Sequence, residues 1–181
     1  MNNNGNRFQT LLKKVIFYLI PTSNGRTKFI MRHASEFHKI GGGIFWQPRM
    51  YPSDPELISI GNNVMLASGV SFVNHDIIHW MLEKNYKRSF PQNKGCIEVG
   101  DNVMIGAKST ILPNVRIGSN VIIGAGSIVT KDIPDNSVAA GVPCRVIGKF
   151  EDLVEKRKNV VAYDNAEDYW ENFYKRYEQT E

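Results

Sequence analysis

The chain has 181 residues, of which 42% are hydrophobic, and a formal net charge of +4 from 22 Lys and Arg against 18 Asp and Glu. That is enough for one domain with a real core and an accessory segment. Two cysteines, Cys96 and Cys144, exclude a disulfide framework and a four-cysteine zinc site, and the Lys and Arg, scattered without interleaved aromatics, outline no nucleic-acid surface. The first predicted element is a helix over 8–19, where Phe8, Leu11, Leu12, Val15, Ile16 and Leu19 recur at i, i+3, i+4 spacing before Pro21. Val15 to Ile20 falls far short of the roughly 20 apolar residues that cross a bilayer, and the segment lacks the order of a secretory leader, so a cytoplasmic location is expected. The apolar stripe is expected to pack over an open end of the fold, with weak membrane-surface contact through residues 7–20 as the alternative. Gly41 to Pro48 reads as extended, turn-rich and out of phase with the residues from Ile58 onward.

A period of six then dominates. Aliphatic or aromatic residues stand at Ile60, Leu66 and Phe72, and again at Val99, Ile105, Ile111, Ile117, Ile123 and Val129. The residue two before each is Ile58, Val64, Val70, Ile97, Val103, Ser109, Val115, Val121 or Ser127. Positions two apart share one face of a strand, so each pair points inward. Small residues such as Gly61, Ala67, Gly100, Gly106, Gly118 and Gly124 come next, and Asn62, Asn63, Asp101, Asn102, Asn120 and Gly126 are expected at sharp corners, where short polar side chains tolerate a left-handed backbone. Each hexapeptide is then one side of a prism and three sides make a coil. Stacked coils bury an aliphatic column that no repeat buries alone. The predicted fold class is all-β, a parallel β-helix of about three coils over residues 56–148, with residues 1–55 and 149–181 outside it. A β-sandwich of short strands would show turns at 8 to 12-residue spacing instead of a fixed six.

Between Phe72 and Val99 the register jumps by 27 residues, which predicts an external loop over 73–95, and loops of that length are usually functional. After Val129 the phase ends near Asp135, and Gly141 and Pro143 predict an irregular closing strand. A C-terminal helix over 167–179 places Trp170, Phe173, Tyr174 and Tyr177 on one face, where they are expected to form core or subunit contacts, and pairs Glu171 with Lys175 on the other.

The runs Ile97-Glu98-Val99-Gly100-Asp101-Asn102-Val103-Met104-Ile105-Gly106, Gly124-Ala125-Gly126-Ser127-Ile128-Val129-Thr130-Lys131-Asp132-Ile133-Pro134 and Ala139-Ala140-Gly141-Val142-Pro143-Cys144-Arg145-Val146-Ile147 resemble the maltose and galactoside O-acetyltransferases, over roughly residues 56 to 148. The resemblance implies a left-handed coil, a homotrimer with each site between two subunits, and acetyl-CoA as cosubstrate. It implies His75, in Phe72-Val73-Asn74-His75-Asp76, as the base that activates the acceptor hydroxyl without an acyl-enzyme. It also implies coenzyme contacts at Ala107, Ala125, Thr130, Lys131 and Arg145, with Lys131 and Arg145 meeting phosphates, and acceptor contacts at Asn74, Asp54 and Gln47. The chain departs from the family pattern at Met104, where an aromatic residue is common, and at Gly148, where a basic residue is common and Lys149 is a neighbouring substitute. The chemistry agrees with the implied base, because a neutral imidazole near its operating range gives general-base help of about 10² to 10⁴-fold to a weakly nucleophilic alcohol. A backbone N–H at Gly106-Ala107 is a candidate oxyanion donor.

The same residues admit competing readings. His75 and His79 are spaced for zinc on a helix, but a third ligand from His33 or His38 would have to join them, so no metal is expected. Cys96 and Cys144 lack an assigned base and read as packed or idle thiols. The expected reaction is O-acetylation of a sugar hydroxyl in capsule, exopolysaccharide or lipopolysaccharide assembly. The alternatives are N-acetylation of an amino sugar or nucleotide-linked amine, and a non-catalytic β-helix binding protein.

Overall fold

Short strands with two inward side chains each cannot stand alone, and the chain stacks them in three parallel sheets around one aliphatic column. A computed structural model describes residues 3–178. Its helices are α1 (Asn3–Leu19), α2 (Ser23–Arg32), α3 (Ile78–Tyr86), α4 (Phe150–Lys158) and α5 (Ala166–Glu178). Its strands are β1 (Lys39–Ile40), β2 (Phe45–Trp46), β3 (Ile58–Ile60), β4 (Val64–Leu66), β5 (Ser71–Phe72), β6 (Ile97–Val99), β7 (Val103–Ile105), β8 (Thr110–Ile111), β9 (Val115–Ile117), β10 (Val121–Ile123), β11 (Ile128–Val129), β12 (Ser137–Ala140) and β13 (Arg145–Lys149). One sheet runs β1-β3-β6-β9, the second β13-β12-β10-β7-β4-β2 and the third β11-β8-β5. Every pairing is parallel except β12 with β13, which closes the stack antiparallel.

The inward positions are those of the six-residue period. Ile60 pairs with Val99 and Val99 with Ile117, while Leu66 pairs with Ile105 and Ile105 with Ile123. All of them are buried, and so are Ser109 and Ser127. The two serines are satisfied inside the column, because both hydroxyls donate to the Gly124 carbonyl, at 3.0 and 2.6 Å. Phe72 is only partly buried and packs against the column and Trp46. Ile105 is fully buried, so Ile105→Ala leaves a cavity flanked by Leu66 and Ile123. It is expected to cost about 2 to 5 kcal/mol, read as a lower urea midpoint at unchanged m-value.

One corner is built from asparagines in the left-handed region. Asn63, Asn102, Asn120 and Asn136 have φ of 54° to 56°. Each of the first three donates from Nδ2 to the next amide oxygen, at 2.9, 3.1 and 2.9 Å. At another corner the turns approach so closely that a Cβ on Gly106 would lie 2.4 Å from the Ala125 nitrogen, which is why that position is glycine.

The outward rows differ between sheets. In the first, Ser59, Glu98 and Arg116 stand side by side, with Arg116 Nε 3.5 Å from Glu98. In the second, the outward row is Phe45, Met65, Met104, Ile122 and Val138. Met65 and Met104 are each more than a third exposed.

The segment read as out of phase is in fact in register. Ile40 and Trp46 are six apart and pair with Ile60 and Leu66. Their offset to the next coil is twenty residues instead of eighteen, because residues 47–57 bulge around a one-turn 3₁₀ helix, Pro55–Leu57. The N-terminal helix ends at Leu19 as its sequence requires, but it is rotated against expectation. Phe8, Leu11, Leu12, Val15, Ile16 and Leu19 are all exposed, and the side against the body is Phe17, fully buried, with Lys13. Phe17 packs at 5.4 Å between the rings of Phe29 and Tyr51, which outweighs the stripe because Phe17 enters a prepared aromatic cluster. α2 comes next, with the Thr22 hydroxyl accepting from Gly25 N at 3.1 Å as its cap.

Residues from Glu151 onward form a separate unit holding most of α4 and all of α5. In α5 the Glu171–Lys175 pair forms at 3.7 Å. Trp170 stacks on Tyr174 at 5.8 Å and both are more than half exposed, so the aromatic face packs on itself rather than into a core. The Tyr177 side chain lies outside the described residues. Among the described residues, no helix is long and apolar enough to cross a membrane.

Candidate active site

The long excursion begins where β5 ends. Val73 still keeps the coil register, donating to Ile111 O at 2.9 Å, and Asn74 then turns the chain outward. The excursion is clamped at its neck. Gly95 N donates to Asn74 O at 2.8 Å, His75 and Lys94 form an antiparallel bridge, and the buried Asn74 amide donates to Gly95 O at 3.1 Å and Leu57 O at 3.4 Å. The loop between carries α3, a helix where the sequence predicts only an external loop. Its exposed Ile77, Ile78, Trp80 and Met81 line an open apolar groove. A neck tied by hydrogen bonds under a long surface loop is how a scaffold fixes one side chain at the base of that loop.

The side chain so fixed is His75. Its Nδ1 lies 2.6 Å from Asp54 Oδ2, and the other carboxylate oxygen, Oδ1, lies 3.3 Å from Lys94 Nζ. Asp54 is buried and stands at the start of the 3₁₀ turn that leads into β3. A buried carboxylate needs partners for both oxygens, and here it has them. With Nδ1–H donating to Asp54, the ring presents Nε2 as a lone pair, the arrangement of an oriented general base. The His75 side chain is itself only partly buried. His75, the expected base, and Asp54, an expected acceptor contact, come together here, and Lys94, which the sequence did not single out, joins them. No local signal marks Lys94, since its partnership is created by the return of the loop.

Asn74 and Gln47, the other expected acceptor contacts, each bond within the chain. The Asn74 side chain is 3% exposed and tied to backbone, with its Oδ1 buried and unpartnered, while Gln47 Oε1 accepts from Ser68 N at 3.1 Å across a coil corner. Of the expected coenzyme contacts, Ala107 and Ala125 sit on stacked turns entering β8 and β11, joined by Gly126 N to Ala107 O at 2.8 Å. Thr130 and Lys131 come directly after β11, so these four bracket the three-stranded sheet, and all but the half-buried Ala107 are exposed. Arg145 opens β13, exposed, with its Nη1 donating to Cys144 O at 2.8 Å. The Ala107 and Ala125 turns precede β8 and β11, whereas His75, like Thr130 and Lys131, follows a strand of that sheet, so within one chain the two alanines and His75 stand at different corners. The Gly106 N–H is already committed to Ile123 O at 2.8 Å, which removes it as an oxyanion donor.

The remaining candidates do no visible chemistry. Cys144 is buried and burial pushes its thiol up, the opposite of an activated nucleophile. Cys96 is exposed at strand entry. His79 packs its ring against Trp80 at 5.6 Å, and His33 stacks on Phe29. Among the described residues, no three His, Cys, Asp or Glu side chains converge as a metal site.

Comparison with known proteins places this geometry. Residues 97–131 match the family model of the bacterial transferase hexapeptide (six repeats). The chain is 50% identical over 101 residues to protein CapG of Staphylococcus aureus, covering 56% of this chain and 58% of that one. It is 43% identical over 122 residues to the galactoside O-acetyltransferase of Escherichia coli (strain K12), covering 66% and 57%. The matched region thus spans under three fifths of either curated relative. Among solved structures, a galactoside acetyltransferase in complex with coenzyme A superposes with a TM-score of 0.63 at 32% identity, covering 89% of this chain and 87% of that one. A maltose O-acetyltransferase from Clostridium difficile 630 superposes at 0.59 and 30% identity, covering 79% and 85%. With its stacked hexapeptides, parallel three-sheet prism and these similarities, the chain belongs to the hexapeptide-repeat acetyltransferases and has their left-handed parallel β-helix fold.

Proposed function

We propose that the protein is an acetyl-CoA-dependent O-acetyltransferase acting on a sugar hydroxyl, with His75 as its general base. The acceptor in this reading is a precursor of capsule, exopolysaccharide or lipopolysaccharide. The observation that carries it is the clamp on His75, an imidazole held through Nδ1 by a buried carboxylate at the neck of the long loop. Support for the cosubstrate comes from the coenzyme A complex of the galactoside acetyltransferase, and for the acceptor class from relatives named for galactoside and maltose.

Nε2 of His75 takes the proton of the acceptor hydroxyl as its oxygen attacks the thioester carbonyl. The tetrahedral adduct collapses with cleavage of the C–S bond, and the imidazolium returns its proton to the departing thiolate. No acyl-enzyme forms. Asp54 holds the ring in the productive tautomer and stabilises the imidazolium, and Lys94 keeps that carboxylate in place. The Ala107 N–H, on the turn beside the committed Gly106, is the proposed oxyanion donor. Ala107, Ala125, Thr130, Lys131 and Arg145 hold the coenzyme, with the two cations toward its phosphates.

In this reading the working unit is a homotrimer, in which the Ala107 and Ala125 corner of one subunit faces His75 of the next. The outward apolar row Phe45, Met65, Met104, Ile122 and Val138 supports such an assembly, since a strip of that kind on a soluble sheet calls for a cover. Free-thiol release from acetyl-CoA is expected with pyranoside hydroxyl acceptors and not with matched amino sugars at comparable concentration. Release confined to amines would replace the reaction with N-acetylation. No release from any acceptor, together with no calorimetric binding of coenzyme A, would establish a non-catalytic binding protein.

A further inference from the structure

α1 is an amphipathic helix turned inside out. Its apolar stripe faces solvent along its length, with Phe8 and Leu19 each about two thirds exposed, and Tyr18 extends the stripe. The rotation is pinned and not incidental. On the opposite side Phe17 is fully buried, and the Lys13 ammonium pairs with Glu36 and lies 4.6 Å from the Tyr51 ring centroid. The same Glu36 accepts from the Tyr51 hydroxyl at 2.9 Å, so helix and body are joined through a small, closed polar cluster. Turning the stripe inward would break that cluster and withdraw Phe17 from its pocket.

The charge around this face is one-sided. Residues 1–50 contain eight Lys and Arg and a single acid, Glu36, whereas the chain as a whole is only +4. That one acid is consumed by Lys13 and Tyr51. α1 itself carries Arg7, Lys13 and Lys14 and no acid. Lys14, three residues from Leu11 and four from Tyr18, borders the stripe, and the exposed Arg49 sits at the C-terminal end of the helix with Nη1 3.3 Å from Tyr18 O. An apolar strip bordered by Lys14 and Arg49 matches an anionic lipid surface, in which the apolar residues enter the acyl boundary and the cations meet headgroups, although Glu56 lines one pocket with Lys13, Lys14 and Glu36. A second copy of the chain fits less well, because pairing two such faces would bring two acid-poor basic segments together. At 17 residues with three cations, the helix is too short and too charged to cross a bilayer.

We propose that the outward face of α1 docks the protein onto an anionic membrane surface. This face uses none of the side chains of the His75 clamp and does not depend on the acetyl-transfer reading. The test is cosedimentation of the full chain with phosphatidylcholine vesicles containing phosphatidylglycerol, beside vesicles of phosphatidylcholine alone, at low and high salt. The wild-type chain is expected to partition onto the anionic vesicles and to release as salt rises. Leu12→Glu/Val15→Glu, at positions already exposed, should lower the partition coefficient by about tenfold or more with an unchanged melting midpoint. Lys14→Glu should lower it less and only for anionic vesicles. Absence of wild-type binding to the anionic vesicles overturns the proposal, and so does binding that the double variant leaves unchanged. A fall in native mass in the double variant, with no wild-type vesicle binding, overturns it in favour of a contact between copies. Acetyl transfer to a soluble acceptor should survive in the double variant, so failure here and failure of the His75 reading are told apart.

Discussion

Replacing His75 with Ala is expected to lower kcat for acetyl transfer by about 10² to 10⁴-fold, the range that a positioned general base supplies. The loss should fall on kcat and leave the calorimetric affinity for acetyl-CoA within a few-fold, because the ring meets the acceptor proton and not the coenzyme. Asp54→Asn should act in the same direction through the ring. The amide keeps the shape but no longer supplies the charge opposite Nδ1, and with one oxygen in place of two it cannot accept from both His75 Nδ1–H and Lys94 Nζ. Lys94→Met removes only the outer partner of the carboxylate and should cost less than either. The ordering His75, then Asp54, then Lys94, all in kcat, is what a base, its orienter and the orienter's support predict. A His75→Ala enzyme within a few-fold of wild type would remove the base from the mechanism, and equal losses in thermal stability across the three would reduce the clamp to a fold contact.

The second large effect concerns the outward row of the second sheet. Met104 stands between Met65 and Ile122 in that row, at the position where the family often carries an aromatic residue. Met104→Glu puts a charge at the centre of a strip that the proposed trimer covers, and an unpaired buried charge costs several kcal/mol. The expected result is a native mass that falls to the 20.5 kDa of one chain, with far-UV circular dichroism retained and acetyl transfer lost. The activity falls with the mass because the Ala107 and Ala125 corner and His75 occupy different edges of one prism. A wild-type chain that is active as a monomer would overturn this arrangement. So would a Met104→Glu chain that stays assembled.

Ile60, Leu66, Val99, Ile105, Ile117 and Ile123 were legible as the column because their period is set by covalent spacing, with six residues taking the chain from one inward side chain to the next around a corner. The asparagine and glycine corners were legible for the same reason, since they answer a local demand on φ. His75 was legible as a candidate because it stands at the register break and matches the family pattern. Ile40 and Trp46 were hidden, although six apart, because the bulge over 47–57 makes the offset to the next coil twenty and hides the repeat from a count of six.

Local pattern therefore determined the prism, its interior and the place where the chain leaves it, since each of these depends on neighbours a few residues away. Tertiary structure alone decided which carboxylate meets the His75 ring, that Lys94 supports it, that Asn74 serves the loop neck and Gln47 a corner, and which way α1 faces. Those contacts join residues 12 to 40 positions apart, and their geometry is set by loop return and competitive packing. For α1 the moment of the helix named the apolar face correctly. One phenylalanine entering an aromatic cluster, with a lysine paired beside it, turned that face outward.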